Sequence, residues 1–253
     1  MLALPLRVER AARDITAWAR RGKPDPLTSV VLTTPAFVIY HLGILFMDVR
    51  NGADWVSDLT LKLLHSSVPA YVIATLALAG GLALSVWVLR RTGQVRPIAA
   101  LPIFAESAVW AVLMLLSVGW AARHVVPSLA LLPGRRPLLE QLGPFEKVVM
   151  AAGAGFHEEL MFRVLMLSGG ALLLRKALGV PRTRAFVAAA IVSSCAFAFV
   201  HHLGPNGEGI TLAALGFRTL AGLYLALVYG ARGFAVAVYT HALYDALVFF
   251  VLT

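Results

Sequence analysis

The chain has 253 residues, 59% of them hydrophobic and only 14% charged, with a mean hydropathy of +0.80. Soluble domains run nearer about 45–50% apolar and about 25% charged, so this composition excludes a water-soluble globular protein and requires a polytopic membrane one. The net charge of +9 does not argue for nucleic acid, because the basic residues fall in short segments between apolar runs, where they report membrane orientation. The single cysteine, Cys195, excludes an internal disulfide or a Cys-rich metal site and reads as a small packing residue.

Residues 1–27 are basic and lack an apolar h-region, so no cleavable signal is expected; they read as an amphipathic cytoplasmic segment with Trp18 at the interface. Residues 28–253 read as one all-α transmembrane bundle. Apolar runs long enough to span occur at 28–47, 69–89, 98–121, 148–174, 185–202, 210–230 and 233–252. Residues 55–65 look amphipathic and surface-lying, while 124–145 could hide a half-helix, so seven or eight crossings are expected. Arg90, Arg91, Arg96, Arg175, Lys176, Arg182 and Arg184 alternate as cytoplasmic, which puts the N-terminus inside; Arg135 and Arg136 fall on the other side. Gly80–Gly81, Gly153, Gly155, Gly169–Gly170 and the alanines of 186–198 suggest close helix packing, and Pro35 and Pro102 suggest kinks.

Charge is concentrated where an apolar helix should exclude it. His157, Glu158, Glu159 and Arg163 sit in the middle of the 148–174 run, where ionisable side chains are costly and usually line a functional cavity. Glu159 and Arg163, four apart, can pair on one helical stripe, whereas Glu158 is turned about 100° away and needs a partner from another helix. His201 and His202 end the fifth run, and His241 and Asp245 share a face of the last. A lone helix-end histidine is usually interfacial, and a His–Asp pair can be merely structural. Three helices carrying such groups together form a different inventory: a Glu with a His can deprotonate water, and a second His can stabilise an oxyanion. That is sufficient for amide hydrolysis without a serine or cysteine nucleophile. A metal reading uses the same residues. His157-Glu158 fails the HExxH pattern because residue 161 is Met, but Glu158, His201 and His241 would suit a divalent ion such as zinc. Glu106 and Arg218 would pair with each other or with the site; His41 and His202 read as interfacial, and His157 points along another face.

Glu158-Glu159-x-x-x-Arg163 preceded by Phe162, Phe197-x-x-x-His201 and His241-x-x-x-Asp245 resemble, in order, the three motifs of the CPBP intramembrane proteases, which include the CAAX prenyl endopeptidases of the Rce1 type and many bacterial relatives. The resemblance covers residues 145–253. It implies a glutamate-dependent intramembrane endopeptidase in which Glu158 and His201 activate water, His241 and Asp245 stabilise the oxyanion, and Glu159 with Arg163 supports the site. The family's last position is often Asn; an ionised Asp245 cannot donate, so it is either protonated by burial or orients His241.

The expected partners are a protein or peptide substrate, lipidated or membrane-anchored forms included, and the lipid bilayer. No firm cofactor is implied, and the expected location is a bacterial inner membrane. The rival reading is a proton-coupled transporter or channel using the same buried Glu, His and Asp groups, against which stands the lack of an inverted repeat.

Overall fold

The computed structural model describes residues 23–47, 68–91, 93–96, 99–125, 142–203 and 210–251. The basic segment 1–22, the amphipathic 55–65 stretch, the 126–141 region with Arg135 and Arg136, and the 204–209 turn lie outside those residues. Among the described residues all regular structure is helical, which agrees with the expected fold class.

Helix α1 (Pro26–Gly43) starts where Pro26 takes the first helical position and the Asp25 carboxylate accepts from the Thr28 backbone N–H at 3.0 Å and the Thr28 hydroxyl at 2.6 Å. A 3₁₀ turn (Ile44–Phe46) follows. Helices α2 (Val68–Leu89) and α3 (Ala100–Val125) come next. Residues 144–178 then form one rod: α4 (Pro144–Gly153), π-helical stretches at Ala154–Glu158 and Leu160–Gly169, and α5 (Gly170–Leu178). The rod stops at Gly179, whose φ of 65° is a left-handed conformation that glycine adopts without a Cβ clash. Helices α6 (Arg182–Val200), α7 (Leu212–Arg232) and α8 (Phe234–Val251) complete the bundle.

Six helices (α1 with its 3₁₀ extension, α2, α3, α6, α7 and α8) are long and apolar enough to cross a membrane. The expected fourth crossing is the rod, which begins at Pro144 rather than 148 and is interrupted by wider π turns. Such turns inside a helix are rare and concentrate at functional sites. The chain is a multi-pass membrane protein whose outer face is apolar, with Leu76, Leu101, Val192 and Leu227 all exposed.

Packing is uneven around the bundle. Helix α8 is central, with Ala235, Val236, Ala237 and Val238 fully enclosed. It packs against α3 through Val236 on Ile103, and Ser107 Oγ donates to the Val236 carbonyl at 3.2 Å. Helix α2 is peripheral: no residue of Val72–Leu89 is buried.

The glycine expectation holds in part. Gly155 sits where an added Cβ would meet the Val238 carbonyl at 2.7 Å, and Gly153 packs on the Tyr40 ring. Gly80, Gly81 and Gly169 have nothing within 4 Å, so a pair of glycines in the peripheral α2 reflects no helix contact. The close approaches the pattern missed are Gly222 against Ser194 and Gly43 against Val149. Pro102 lies in the first turn of α3, where its absent N–H has no helical partner to lose, so only Pro35 is inside a helix. Cys195 is exposed on the outer face rather than a packing residue.

One end of the bundle gathers the start of α1, the α2–α3 turn, the start of α6 and the α7–α8 turn. The Thr28 hydroxyl, whose hydrogen goes to Asp25, lies 3.4 Å from the Gln94 carbonyl and accepts from the Arg96 N–H at 3.3 Å. A Cβ at Gly233 would lie 3.8 Å from Pro24. Near this end Glu106 of α3 holds Arg232 in a two-pronged pair, with Arg232 Nη2 at 2.7 Å from Oε2, and also accepts from Trp110 Nε1 at 3.0 Å. Glu106 therefore pairs with Arg232, not with the expected Arg218.

Candidate active site

The rod supplies Glu158, Glu159 and Arg163. The π stretches on either side of Glu159 widen the helix, so successive residues turn through a smaller angle than in an α-helix and both carboxylates stay on the inward side. Glu158 is 3% exposed, and Glu159 and Arg163 are fully enclosed. Ser193 Oγ of α6 donates to the Phe162 carbonyl of the rod at 2.6 Å.

Glu159 and Arg163 pair as the spacing predicts, with Nε 3.2 Å from Oε2. The other carboxylate oxygen accepts from His241 Nδ1 on α8 at 2.9 Å. Glu159 thus joins two helices. Arg163 Nη2 donates to the Gly222 carbonyl on α7 at 3.2 Å, and the guanidinium lies 4.8 Å from the centre of the Phe197 ring. Gly222 was not singled out in the sequence; it matters because a Cβ there would meet Ser194 Cα at 3.0 Å and push its carbonyl away from Arg163. The enclosed arginine thus has the Glu159 carboxylate, the Gly222 carbonyl and the Phe197 ring around it, while its Nε and Nη1 make no hydrogen bond among the described residues.

Glu158 makes no ion pair with a cation of its own helix among the described residues, again as the spacing predicts. Its Oε2 faces His201 Nε2 at 3.7 Å and His241 Nε2 at 3.9 Å, and makes no direct hydrogen bond among the described residues. The Arg218 guanidinium of α7 bears on Glu158 electrostatically, so the site half of the Arg218 expectation holds. Asp245 Oδ2 lies 3.6 Å from His241 Nε2 and is half-buried at the rim.

The far nitrogens of the two histidines fix their tautomers. His201 Nδ1 is 2.7 Å from the Phe197 carbonyl and His241 Nδ1 is 2.9 Å from Glu159. Both partners only accept, so both Nδ1 atoms carry the hydrogen, and both rings turn Nε2 toward Glu158. Phe197, 2% exposed, is the spacer: its ring centroid is 4.8 Å from that of His201, 5.9 Å from that of His241 and 5.4 Å from that of Phe162.

Three side chains read as peripheral behave otherwise. His157 does point away from Glu158, but it is buried against α1, where its Nε2 meets His41 Nε2 at 3.1 Å. His157 Nδ1 donates to the Gly153 carbonyl at 3.0 Å, so His41 must donate to His157, and His41 Nδ1 accepts from Thr75 of α2 at 3.3 Å. His41 is thus an interhelical link rather than an interfacial residue, and His202 is buried too. An apolar stretch around a histidine cannot reveal which neighbouring helix it faces.

Among the described residues no group of three or more His, Cys, Asp or Glu side chains is arranged to hold a metal ion. Residues 141–247 match the family described as type II CAAX prenyl endopeptidase, Rce1-like. Every residue of the Glu158–Glu159–Arg163, Phe197–His201 and His241–Asp245 sets falls inside that stretch. No curated protein and no solved structure gives a significant match.

Proposed function

We propose, from the premise that residues 141–247 are an Rce1-like domain, a reaction for this intramembrane endopeptidase in which Glu158 is the general base toward water. The observation that carries it is the facing of Glu158 Oε2 by two histidine Nε2 atoms at 3.7 and 3.9 Å. Those gaps exceed a hydrogen bond but suit one bridging water. A carboxylate and a neutral His201 Nε2 both accept, so the group that reconciles them brings hydrogens, and water brings two.

In this reading water held between Glu158 and His201 attacks the scissile carbonyl carbon as Glu158 takes its proton. His241, protonated on both nitrogens, donates Nε2–H to the oxyanion while Glu159 holds its Nδ1–H. Asp245 orients the ring. Collapse of the tetrahedral intermediate breaks the C–N bond, and the proton on Glu158 passes to the leaving nitrogen. One water is consumed, its hydroxyl on the new carboxyl and its hydrogen on the new amine. Glu159 and Arg163 touch no reacting atom and act as positioning residues. The substrate is a protein or peptide, cut near its C-terminus or in a membrane-proximal segment, lipid-bearing substrates included.

The same tautomer pattern supports a second reading. Metal-bound histidines give their far N–H to a carbonyl or carboxylate, as His201 and His241 do. Glu158, His201 and His241 would have to close on such an ion, because no group of three among the described residues is arranged to hold one; it would supply Lewis acidity and a more acidic water. The family match favours either form of protease over proton-coupled transport.

The test is cleavage by purified protein in lipid nanodiscs. Glu158→Gln is expected to lower kcat at least about 100-fold, the usual scale for a general base, with helicity and melting temperature kept. Full activity in Glu158→Gln sinks the proposal. Activity that survives chelation in metal-free protein selects the metal-free form; activity lost with a stoichiometric metal selects the other.

A further inference from the structure

The basic end of the bundle contains a cavity of about 580 Å³ between the start of α1 and the α2–α3 turn. That is within the usual range of small-molecule sites. Lys23, Arg90, Arg91 and Arg96 line it, and among the described lining residues the one carboxylate is Asp25. Asp25 is committed to Thr28, capping α1. None of the four cations has a carboxylate within 4 Å among the described residues. Two more guanidiniums, Arg182 and Arg232, bear on Lys23, and partial burial followed by these two charges holds its ammonium below the usual lysine pKa. Like charges are gathered around a concave space, and nothing described in its wall balances them.

The site is far from the chemistry. From Thr28 to His41, which touches His157 beside Glu158, α1 runs thirteen residues, about 20 Å at 1.5 Å per residue. Its position is a membrane-surface one. Arg91 lies 4.1 Å from the centre of the Trp87 ring, and Trp87 is 43% exposed on the peripheral helix α2. Tryptophan at that level marks the headgroup region, and guanidinium forks match phosphate oxygens in pairs.

We propose that this cavity binds a phosphate-bearing anion, supplied by the headgroup of an anionic lipid in the adjoining leaflet. Basic pockets between helix ends are the sites where such headgroups are held. Occupancy would tie the α1 start to the α2–α3 turn, two elements otherwise joined through Thr28. The inference does not depend on the hydrolytic reading.

The test titrates purified full-length protein in neutral detergent with short-chain phosphatidylglycerol, short-chain phosphatidylcholine or inorganic phosphate, reading Trp fluorescence and melting temperature. Saturable binding of phosphatidylglycerol but not phosphatidylcholine is expected. It should weaken about fivefold for each cation removed, so roughly 25-fold in Arg91→Gln/Arg96→Gln. Lys23→Gln provides a second variant should that pair fail to fold, and Arg175→Gln/Lys176→Gln, on α5 outside the cavity wall, should bind as the parent does. Phosphatidylglycerol binding unchanged in the cavity variants, or equalled by phosphatidylcholine, overturns the site. Inorganic phosphate binding as tightly as the lipid overturns the lipid as its source.

Discussion

At the scale of single residues, Glu159 shows how a buried charge becomes tolerable: one oxygen faces Arg163, the other His241. Removing one partner of an enclosed pair leaves the other uncompensated, which costs about 3–5 kcal/mol. Arg163→Leu should therefore destabilise the protein strongly, seen as a large fall in melting temperature in detergent. Glu159→Leu/Arg163→Leu should recover much of that loss while activity stays low, because His241 loses its anchor. A double variant no more stable than Arg163→Leu would show that the pair is not what Arg163 serves. At Asp245 the proposed role is orientation of His241 from 3.6 Å. Asparagine can fill that role through its side-chain oxygen, so Asp245→Asn should keep kcat within about tenfold, while Asp245→Leu should not. Equal, large losses in both would assign the carboxylate a chemical part.

At the scale of elements, the spacing of the site depends on how close the rod lies to α8. Gly155 fixes that distance: a methyl there meets the Val238 carbonyl at 2.7 Å and the Ala242 nitrogen at 3.0 Å, both backbone atoms that cannot swing aside. Gly155→Ala should push α8 outward by a few tenths of an ångström and carry His241 with it. A misplacement of about 1 Å can cost 100-fold in rate, so kcat should fall more than tenfold with a modest loss of stability. Near-parent kcat in a folded Gly155→Ala protein would contradict this. The contribution of the sequence is also clearest at this scale. The i,i+4 relation of Glu159 and Arg163, and the isolation of Glu158 on its own helix, are properties of local geometry and were legible in the spacing. The π turns, the Glu106–Arg232 pair and the His41–His157 link were not. Each depends on which helix stands next to which, and apolar runs of similar composition carry little information about their neighbours. Gly80–Gly81 misled for the same reason: a small residue permits a close approach but does not create one.

At the scale of the molecule, the described basic residues at the helix ends gather on one side. Lys23, Arg90, Arg91, Arg96, Arg182 and Arg232 belong to elements that meet there, whereas Lys147 lies at the start of α4. The excess-basic side of a bilayer is the cytoplasmic one. A cysteine placed at Lys23 in a Cys195→Ser background should therefore react with a membrane-impermeant maleimide only in opened or inverted vesicles. Labelling in intact cells would invert the orientation.

The packing of α8 on α3 places part of the site's control outside the stretch that matches the family. His241 rides on a helix whose neighbour at Ile103 and Ser107 comes from the unmatched first half of the chain. Substitutions along that face of α3 could retune the rate while every reacting group stays unchanged. A chimera that grafts residues 141–247 onto foreign helices would leave out α3, the helix on which the His241-bearing α8 is packed.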